Sequence, residues 1–338
     1  MQCPSKTLAP TALRHHTVSY YSASITYRPN PFVDLSSSES LTDKMALTAG
    51  DVEADIYYLS RSDIYKSVKP YTLRYKPPGS LPISNVIREK ECTIIRNMRH
   101  HWDALRYDSC GFQVVELDTQ MTFDDFSDVD KIDQVHRPEI EKCVKRTMQA
   151  SSVQVLDYVI RRRHVSFPIA TGEPYEWQQP ASRAHIDFTF NAGVSTIRNA
   201  FNEKADAILA ARWQFVKASG DWPLAVCDAA SVDFDNDTLA GDVVERTKAF
   251  ENTQVHFNPQ QKWYYLKDQL PSELLMFKNA DSESMSGVTT GRLVCGNRKA
   301  GDSCSFALGV PHASFCNPPA PKTETPRESI EFRMIVMW

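Results

Sequence analysis

The sequence predicts a mainly β protein with added helices, folded as an antiparallel barrel or jelly roll. Three observations predict it. Short apolar or alternating runs recur through the second half, with turns between them that carry Pro and Asn (DW-P, L-P-S, N-P-P). Only one or two stretches show helical periodicity. Gly is scarce, at 12 of 338 residues, and neither GxGxxG nor GxxxxGK[ST] occurs, which argues against a nucleotide-binding parallel sheet.

Taken in order, residues 1–45 are polar and mixed, include the run SSSES at 36–40, and predict a loosely ordered arm. Residues 46–59 mix apolar and acidic positions. Residues 66–88 hold Pro70, Pro77, Pro78 and Pro82, which favour extended or turn backbone over helix. ECTIIRNM (91–98) and GFQVVEL (111–117) predict strands. RPEIEKCVKRTMQA (137–150) predicts a helix, with Pro138 near its start and acidic residues in its first turn. VQVLDYVIR (153–161) predicts a strand rich in β-branched residues. HIDFTF (185–190) predicts a short strand, and 195–211 a helix capped by Ser195 or Thr196 with Ile197, Phe201, Ile208 and Leu209 on its apolar face. Strands follow at 212–216, 223–227, 262–266, 273–277 and 305–310, and IEFRMIVMW closes the chain. No linker separates the halves. The expected organisation is therefore one catalytic domain at 46–338, with 46–165 as a helix and strand support region and 166–338 as the core carrying the site.

Composition narrows the function. Lys plus Arg (38) nearly balances Asp plus Glu (42), for a net charge of −4, so no basic surface for nucleic acid is expected. None of the eight Cys forms a CxxC pair, which disfavours a zinc ribbon or redox motif. The N-terminus lacks an apolar signal core and no apolar run approaches 18 residues, so the expectation is a soluble cytoplasmic protein with free thiols, without membrane or nucleic-acid partners.

His185-Ile186-Asp187 is the triplet that points to chemistry. On a strand, a spacing of two puts His185 and Asp187 on one face, where both can bind one metal ion. His312, in GVPHASF, is the candidate third ligand, with His256 as its rival. Two His and one carboxylate form the facial triad of non-haem Fe(II) oxygenases, with open positions for a cosubstrate and O₂. The alternative is a hydrogen-bonded His–Asp pair on a half-buried strand. In the last strand, alternation sends Arg327, Ser329, Glu331 and Arg333 to one face and Ile330, Phe332, Met334 and Val336 to the other. If the first face is the barrel interior, Arg327 and Ser329 can grip the distal carboxylate of 2-oxoglutarate, a guanidinium forking onto the carboxylate; otherwise these residues form a solvated face. His136 and Glu139 read as a solvated first helical turn, Arg161-Arg162-Arg163 as a solvated strand end, and Asp228 and Asp233 as hydrogen-bonding acids.

Several segments together carry a family resemblance: GFQVV (111–115), EIEKCVKRTMQASSVQVLDYVIRRR (139–163), RAHIDFT (183–189), WPLAVCDAASV (222–232), WYYLKDQLPSELLMFKNADSES (263–284), PHASF (311–315) and PRESIEFRMIVMW (326–338). Over roughly 90–338 the chain resembles the fungal AsaB-type hydroxylase/desaturase family, which includes a gibberellin desaturase and is related to bacterial cephem methoxylation proteins. The resemblance implies a double-stranded β-helix (jelly roll, cupin-like) core. It also implies Fe(II), 2-oxoglutarate and O₂ as cofactor and cosubstrates, with ascorbate as an aid, and a role in fungal secondary metabolism. It assigns metal binding and catalysis to His185, Asp187 and His312, and cosubstrate anchoring to Arg327, with Arg333 as second choice. Ile335 and Met337, on the strand that reaches the metal region, are candidate substrate contacts. The implied reaction oxidises an unactivated C–H bond of a small molecule by hydroxylation, desaturation or ring closure, for example aziridine formation from an amino acid such as valine.

The chain departs from the family at 215–225, where Lys217, Ala218 and Ser219 stand in place of an Asn-x-Trp-Arg-Pro-like stretch, and in the loop 285–304 with Arg292, Arg298 and two Cys. Two other classes remain open at this level: a catalytically inactive jelly-roll binding or scaffold protein, and a cupin-type metalloenzyme that does not use 2-oxoglutarate.

Overall fold

The structure is a computed structural model and describes residues 47–164, 177–220, 224–285, 309–317 and 328–338. The arm expected at 1–45 lies outside these residues. Two sheets make the framework. The larger has nine strands in the order β1 (Val52–Leu59), β3 (Arg88–Asn97), β11 (Trp263–Tyr265), β8 (Leu224–Cys227), β13 (His312–Ser314), β6 (His185–Ile186), β10 (Ala249–Val255), β9 (Thr238–Val244) and β2 (Tyr71–Leu73). The smaller has five, in the order β4 (Phe112–Glu116), β12 (Glu273–Asp281), β7 (Trp213–Gly220), β14 (Glu328–Met337) and β5 (Ser152–Arg162). Most pairings are antiparallel; β11 with β3 and β2 with β9 are parallel. Apart from the β9–β10 hairpin, neighbours in each sheet are not joined by a short turn, and the mainly β core with added helices is as expected.

Alternation in β14 does what the sequence predicts on its apolar side. Ile330, Phe332, Met334 and Val336 join one core cluster with Ile140, Cys143 and Val144 of the helix Arg137–Met148. That helix has Pro at its start and Glu139 in its first turn, and it lays its apolar stripe on the smaller sheet. Each fully buried side chain of this kind stabilises the fold by about 1.5–3 kcal/mol. The two faces of the larger sheet carry other clusters: Val52, Ile56, Tyr58, Ile95, Trp263 and Phe315 on the face turned away from the smaller sheet, and Val226, with Val310, against Phe112, Leu275 and Phe277 of the smaller sheet.

Several elements differ from expectation. The strand at 185–190 is only His185–Ile186, because Thr189 caps a helix that runs from Phe190 to Phe201, its hydroxyl accepting from the Ala192 N–H. The helix expected at 195–211 therefore starts earlier and breaks at Asn202 (φ 46°) before a second short helix, Ala205–Ala210. Ser195 and Thr196 lie inside it and cap nothing; the Thr196 hydroxyl donates to the Ala192 carbonyl. His312 opens the short strand β13 rather than following a strand; residues 305–308 of the expected run lie outside the described residues. Strands β1, β2, β9 and β10 were not expected. β10 carries Asn252 and Gln254 at buried positions, hydrogen-bonded to each other at 2.6 Å, so polarity hides its alternation.

Candidate metal centre

The middle of the larger sheet brings the predicted ligands together. β13 lies between β8 and β6, and His312 pairs in register with His185 across the antiparallel β13–β6 ladder. Directly opposed residues point to the same face, so the two imidazoles meet with ring centroids 4.4 Å apart. Asp187 follows two residues after His185, in a bend just past β6, and stays on that face. Its Oδ1 is 3.3 Å from His185 Nε2 and 3.6 Å from His312 Nε2. One ligating atom from each of the three residues lies within 4.8 Å of the others.

The surroundings fix how these atoms present themselves. His185 Nδ1 is 2.8 Å from the Arg183 carbonyl, and His312 Nδ1 is 3.1 Å from the Val310 carbonyl. A carbonyl only accepts, so each Nδ1 carries the hydrogen and each Nε2 faces inward with a lone pair. Two imidazole lone pairs and a carboxylate oxygen thus converge with no hydrogen of their own to share, a donor set that suits a divalent cation of borderline softness. Burial, the Lys217 ammonium and His185 push the His312 imidazole down to about 4, so it is neutral and ligand-ready at neutral pH. Burial would raise the Asp187 carboxyl, but Lys217 and His312 outweigh it and hold the group well below the usual carboxylate range.

The smaller sheet forms the facing wall. Trp213, Phe215 and Lys217 alternate along β7 on its inner side, and Lys217 Nζ lies 3.2 Å from Asp187 Oδ2, 3.0 Å from Glu331 Oε2 and 3.4 Å from His312 Nε2. Glu331 Oε1 accepts from Arg161 Nε at 3.0 Å. Asn279 Nδ2 donates to Asp187 Oδ2 at 3.3 Å, and the Phe277 ring packs 4.8 Å from that of His312. The roles of Lys217, Asn279 and Arg161 escape a reading of the sequence. The available signal is Lys217 itself, a cation in step with Trp213 and Phe215 on an apolar face. Arg161 is corrected from a solvated strand end to a largely buried partner of Glu331, 18% exposed.

The remaining predicted residues fall as follows. Arg327 lies outside the described residues, as do Arg292, Arg298, Cys295 and Cys304 of the atypical loop. Ser329 is buried in β14, in register with Arg161. Arg333 sits opposite Lys217, and its guanidinium forks onto Asp157 of β5, with Nε 2.7 Å from Oδ1 and Nη2 against Oδ2. Ile335 is fully buried with Trp213, Phe215 and Ile197, and Met337 packs against the same cluster. His256 is not at the centre; its Nδ1 is held 2.7 Å from the Leu59 carbonyl. His136 is corrected from a solvated turn to a buried ring edge-on to Phe126 and Phe332, while Glu139 accepts from the Thr119 hydroxyl and the Gln120 N–H. Asp228 and Asp233 accept from N–H groups of the short turns they open. Among the described residues Cys92, Cys110, Cys143, Cys227 and Cys316 are free thiols.

Gly309 ties the centre to the smaller sheet. A Cβ there would stand 2.6 Å from the Asn279 carbonyl oxygen and 2.7 Å from Ile186 Cγ2, so position 309 lies too close for any side chain. Gly309→Ala must push the Asn279 backbone or Ile186, next to His185, aside. The expected result is a loss of about 1–3 kcal/mol in stability from overpacking and weaker divalent-metal binding, read by thermal melting and Co(II) titration. Unchanged values for both would show that the segment can shift freely.

Residues 56–337 match the family described as oxidoreductase/YMDC permease-like domain. The chain belongs to this family. Curated relatives of this oxidoreductase are fungal. The alpha-ketoglutarate-dependent dioxygenase tstK of Talaromyces stipitatus is 21% identical over 251 residues, covering 72% of the chain and 84% of the relative. The Fe(II)/2-oxoglutarate-dependent dioxygenase nvfI of Aspergillus novofumigatus is 31% identical over 166 residues, covering 47% of the chain and about half (52%) of that relative. The hydroxylase/desaturase asaB of Aspergillus flavus is 27% identical over 154 residues, covering 40% and 60%. A solved structure of the iron and alpha-ketoglutarate-dependent endoperoxidase NvfI superposes with TM-score 0.68 at 22% identity, covering 85% of this chain and 98% of that one, which establishes the jelly-roll fold. The hydroxylase/desaturase resemblance read from the sequence is borne out. Among the described residues of this family member no helix is long and apolar enough to cross a membrane.

Proposed function

We propose that the protein is a non-haem Fe(II)/2-oxoglutarate-dependent oxygenase that oxidises an unactivated C–H bond of a small molecule in fungal secondary metabolism, by hydroxylation, desaturation or oxidative ring closure. The observation that carries this reading is the convergence of His185 Nε2, His312 Nε2 and one Asp187 oxygen, each oriented by a further hydrogen bond, inside a β framework shared with an endoperoxidase of that class. Iron with 2-oxoglutarate and O₂ supplies the oxidising power, 2-oxoglutarate being decarboxylated to succinate as the substrate C–H bond is oxidised.

The chain's own residues do the rest. His185, Asp187 and His312 hold the metal on one side and leave its other side to the cosubstrate, O₂ and the substrate. Burial of His312 and of the apolar Phe277 beside it keeps water from that wall of the centre. Arg327, with Ser329 two residues on, is the proposed anchor for the distal carboxylate of 2-oxoglutarate. Arg333 is second choice, since Asp157 already engages its guanidinium. Residues 46–338 act as one catalytic domain, preceded in the sequence by an arm at 1–45, and the site of action is the cytoplasm.

The test is anaerobic addition of Fe(II) and then 2-oxoglutarate to the full chain. The expected result is a weak visible charge-transfer band that appears only with both. No band at high concentration of each would overturn the reading in favour of a metalloenzyme without a keto-acid cosubstrate or of a binding protein.

A further inference from the structure

The two oxygens of Asp187 have different neighbours. Oδ1 faces the two imidazole nitrogens, at 3.3 and 3.6 Å. Oδ2 faces the opposite wall, with Lys217 Nζ at 3.2 Å and Asn279 Nδ2 at 3.3 Å. Neither neighbour has room to leave. The Lys217 side chain is 5% exposed and is tied to Glu331, which Arg161 holds from its other oxygen, while Arg161 also donates to the Gln179 carbonyl at 2.8 Å. Lys217 is also set by register, lying opposite Phe277 on β12 and Arg333 on β14. Asn279 is 1% exposed at the bulge where β12 shifts register against β7.

A carboxylate with both oxygens free can bind a divalent cation through either one or two of them. With its second oxygen spent on an ammonium and an amide, Asp187 has one left for the metal. We propose that Lys217, seconded by Asn279, is a positioning residue that confines Asp187 to one-oxygen ligation and so keeps the adjacent coordination position for a chelating keto acid. The proposal rests on the reading of the centre as a 2-oxoglutarate-dependent site. Buried charges must be paired, and here two cations, Lys217 and Arg161, and two carboxylates, Asp187 and Glu331, form one chain. Lys217 thus orients Asp187 and opposes the charge of an incoming cation at once, trading metal affinity for an open position.

The test uses the full chain with Co(II) as the probe metal and N-oxalylglycine as a redox-inert keto-acid mimic. Metal binding is followed by visible absorption and the mimic by calorimetry on the cobalt-loaded protein. Lys217→Met should bind Co(II) about tenfold tighter and N-oxalylglycine about tenfold more weakly, within the range in which groups behind metal ligands act. Lys217→Arg, which keeps the charge, should restore both toward the wild type. A purely structural role for Lys217 would weaken both together. Co(II) binding that is no tighter in Lys217→Met, or tighter binding with unchanged affinity for the mimic, would overturn the proposal. If Lys217→Met does not fold, Asn279→Ala decides the matter, since it removes one of the two partners of that oxygen without altering charge and should shift both affinities in the same directions by less. A wild-type chain that takes up no Co(II) would instead bring down the metal-centre reading itself.

Discussion

Replacing His312 with Ala should abolish turnover and cut divalent-metal affinity by more than the roughly 10–100-fold that follows loss of a group behind a ligand. The expected size follows from geometry. Among the described residues His312 contributes one of three converging atoms, is 1% exposed, and has its tautomer set by the Val310 carbonyl. No other described imidazole stands ready to replace it, since His256 is bound to Leu59 and His136 lies behind the smaller sheet with Phe332. Succinate formation from 2-oxoglutarate measures the first effect and Co(II) titration the second. His312→Gln, which fills similar space, separates ligation from packing and should lose turnover alike. Retention of metal and turnover in His312→Ala would sink the assignment of the triad.

The largest expected effect on stability is at Phe332. Phe332→Ala should lose about 3–5 kcal/mol, the range for a large aromatic removed from a packed core. The ring is 1% exposed, edge-on to His136 at 5.3 Å and tilted against Tyr158 at 5.4 Å, under the helix Arg137–Met148. Its neighbour Glu331 points the other way, into the charge chain with Lys217. Urea unfolding should therefore show a strongly shifted midpoint, while the folded variant binds Co(II) as the wild type does. A loss below about 1 kcal/mol, the cost of a well-tolerated core substitution, would mean that the ring is not the keystone its packing indicates. Loss of metal binding in folded protein would show that the two faces of β14 are not independent.

Much of the centre was legible in the chain because strand geometry is local. A spacing of two is enough to put His185 and Asp187 together, and alternation is enough to sort Phe332 from Glu331, whatever the rest of the protein does. The apolar stripe of 137–148 and the Pro at its start likewise act within one helix. Where local signals misled, another local signal or a polar interior was responsible. Thr189 capped a helix that ended the strand of His185 early, and buried amides in β10 broke the hydrophobic pattern that marks a strand.

The sequence by itself determined the ligand types, the placement of His185 relative to Asp187 and the two-faced character of the last strand. Only the tertiary structure decided that His312 stands in register with His185, that Lys217 and Asn279 take the second oxygen of Asp187, and that Arg161 closes the chain of charges. Those relations join strands separated by 30 to 170 residues, as with the spacings of Lys217 from Asp187 and of Arg161 from Glu331. Sheet order and register set them, and these arise from how whole strands pack and pair; no short window of the chain encodes them.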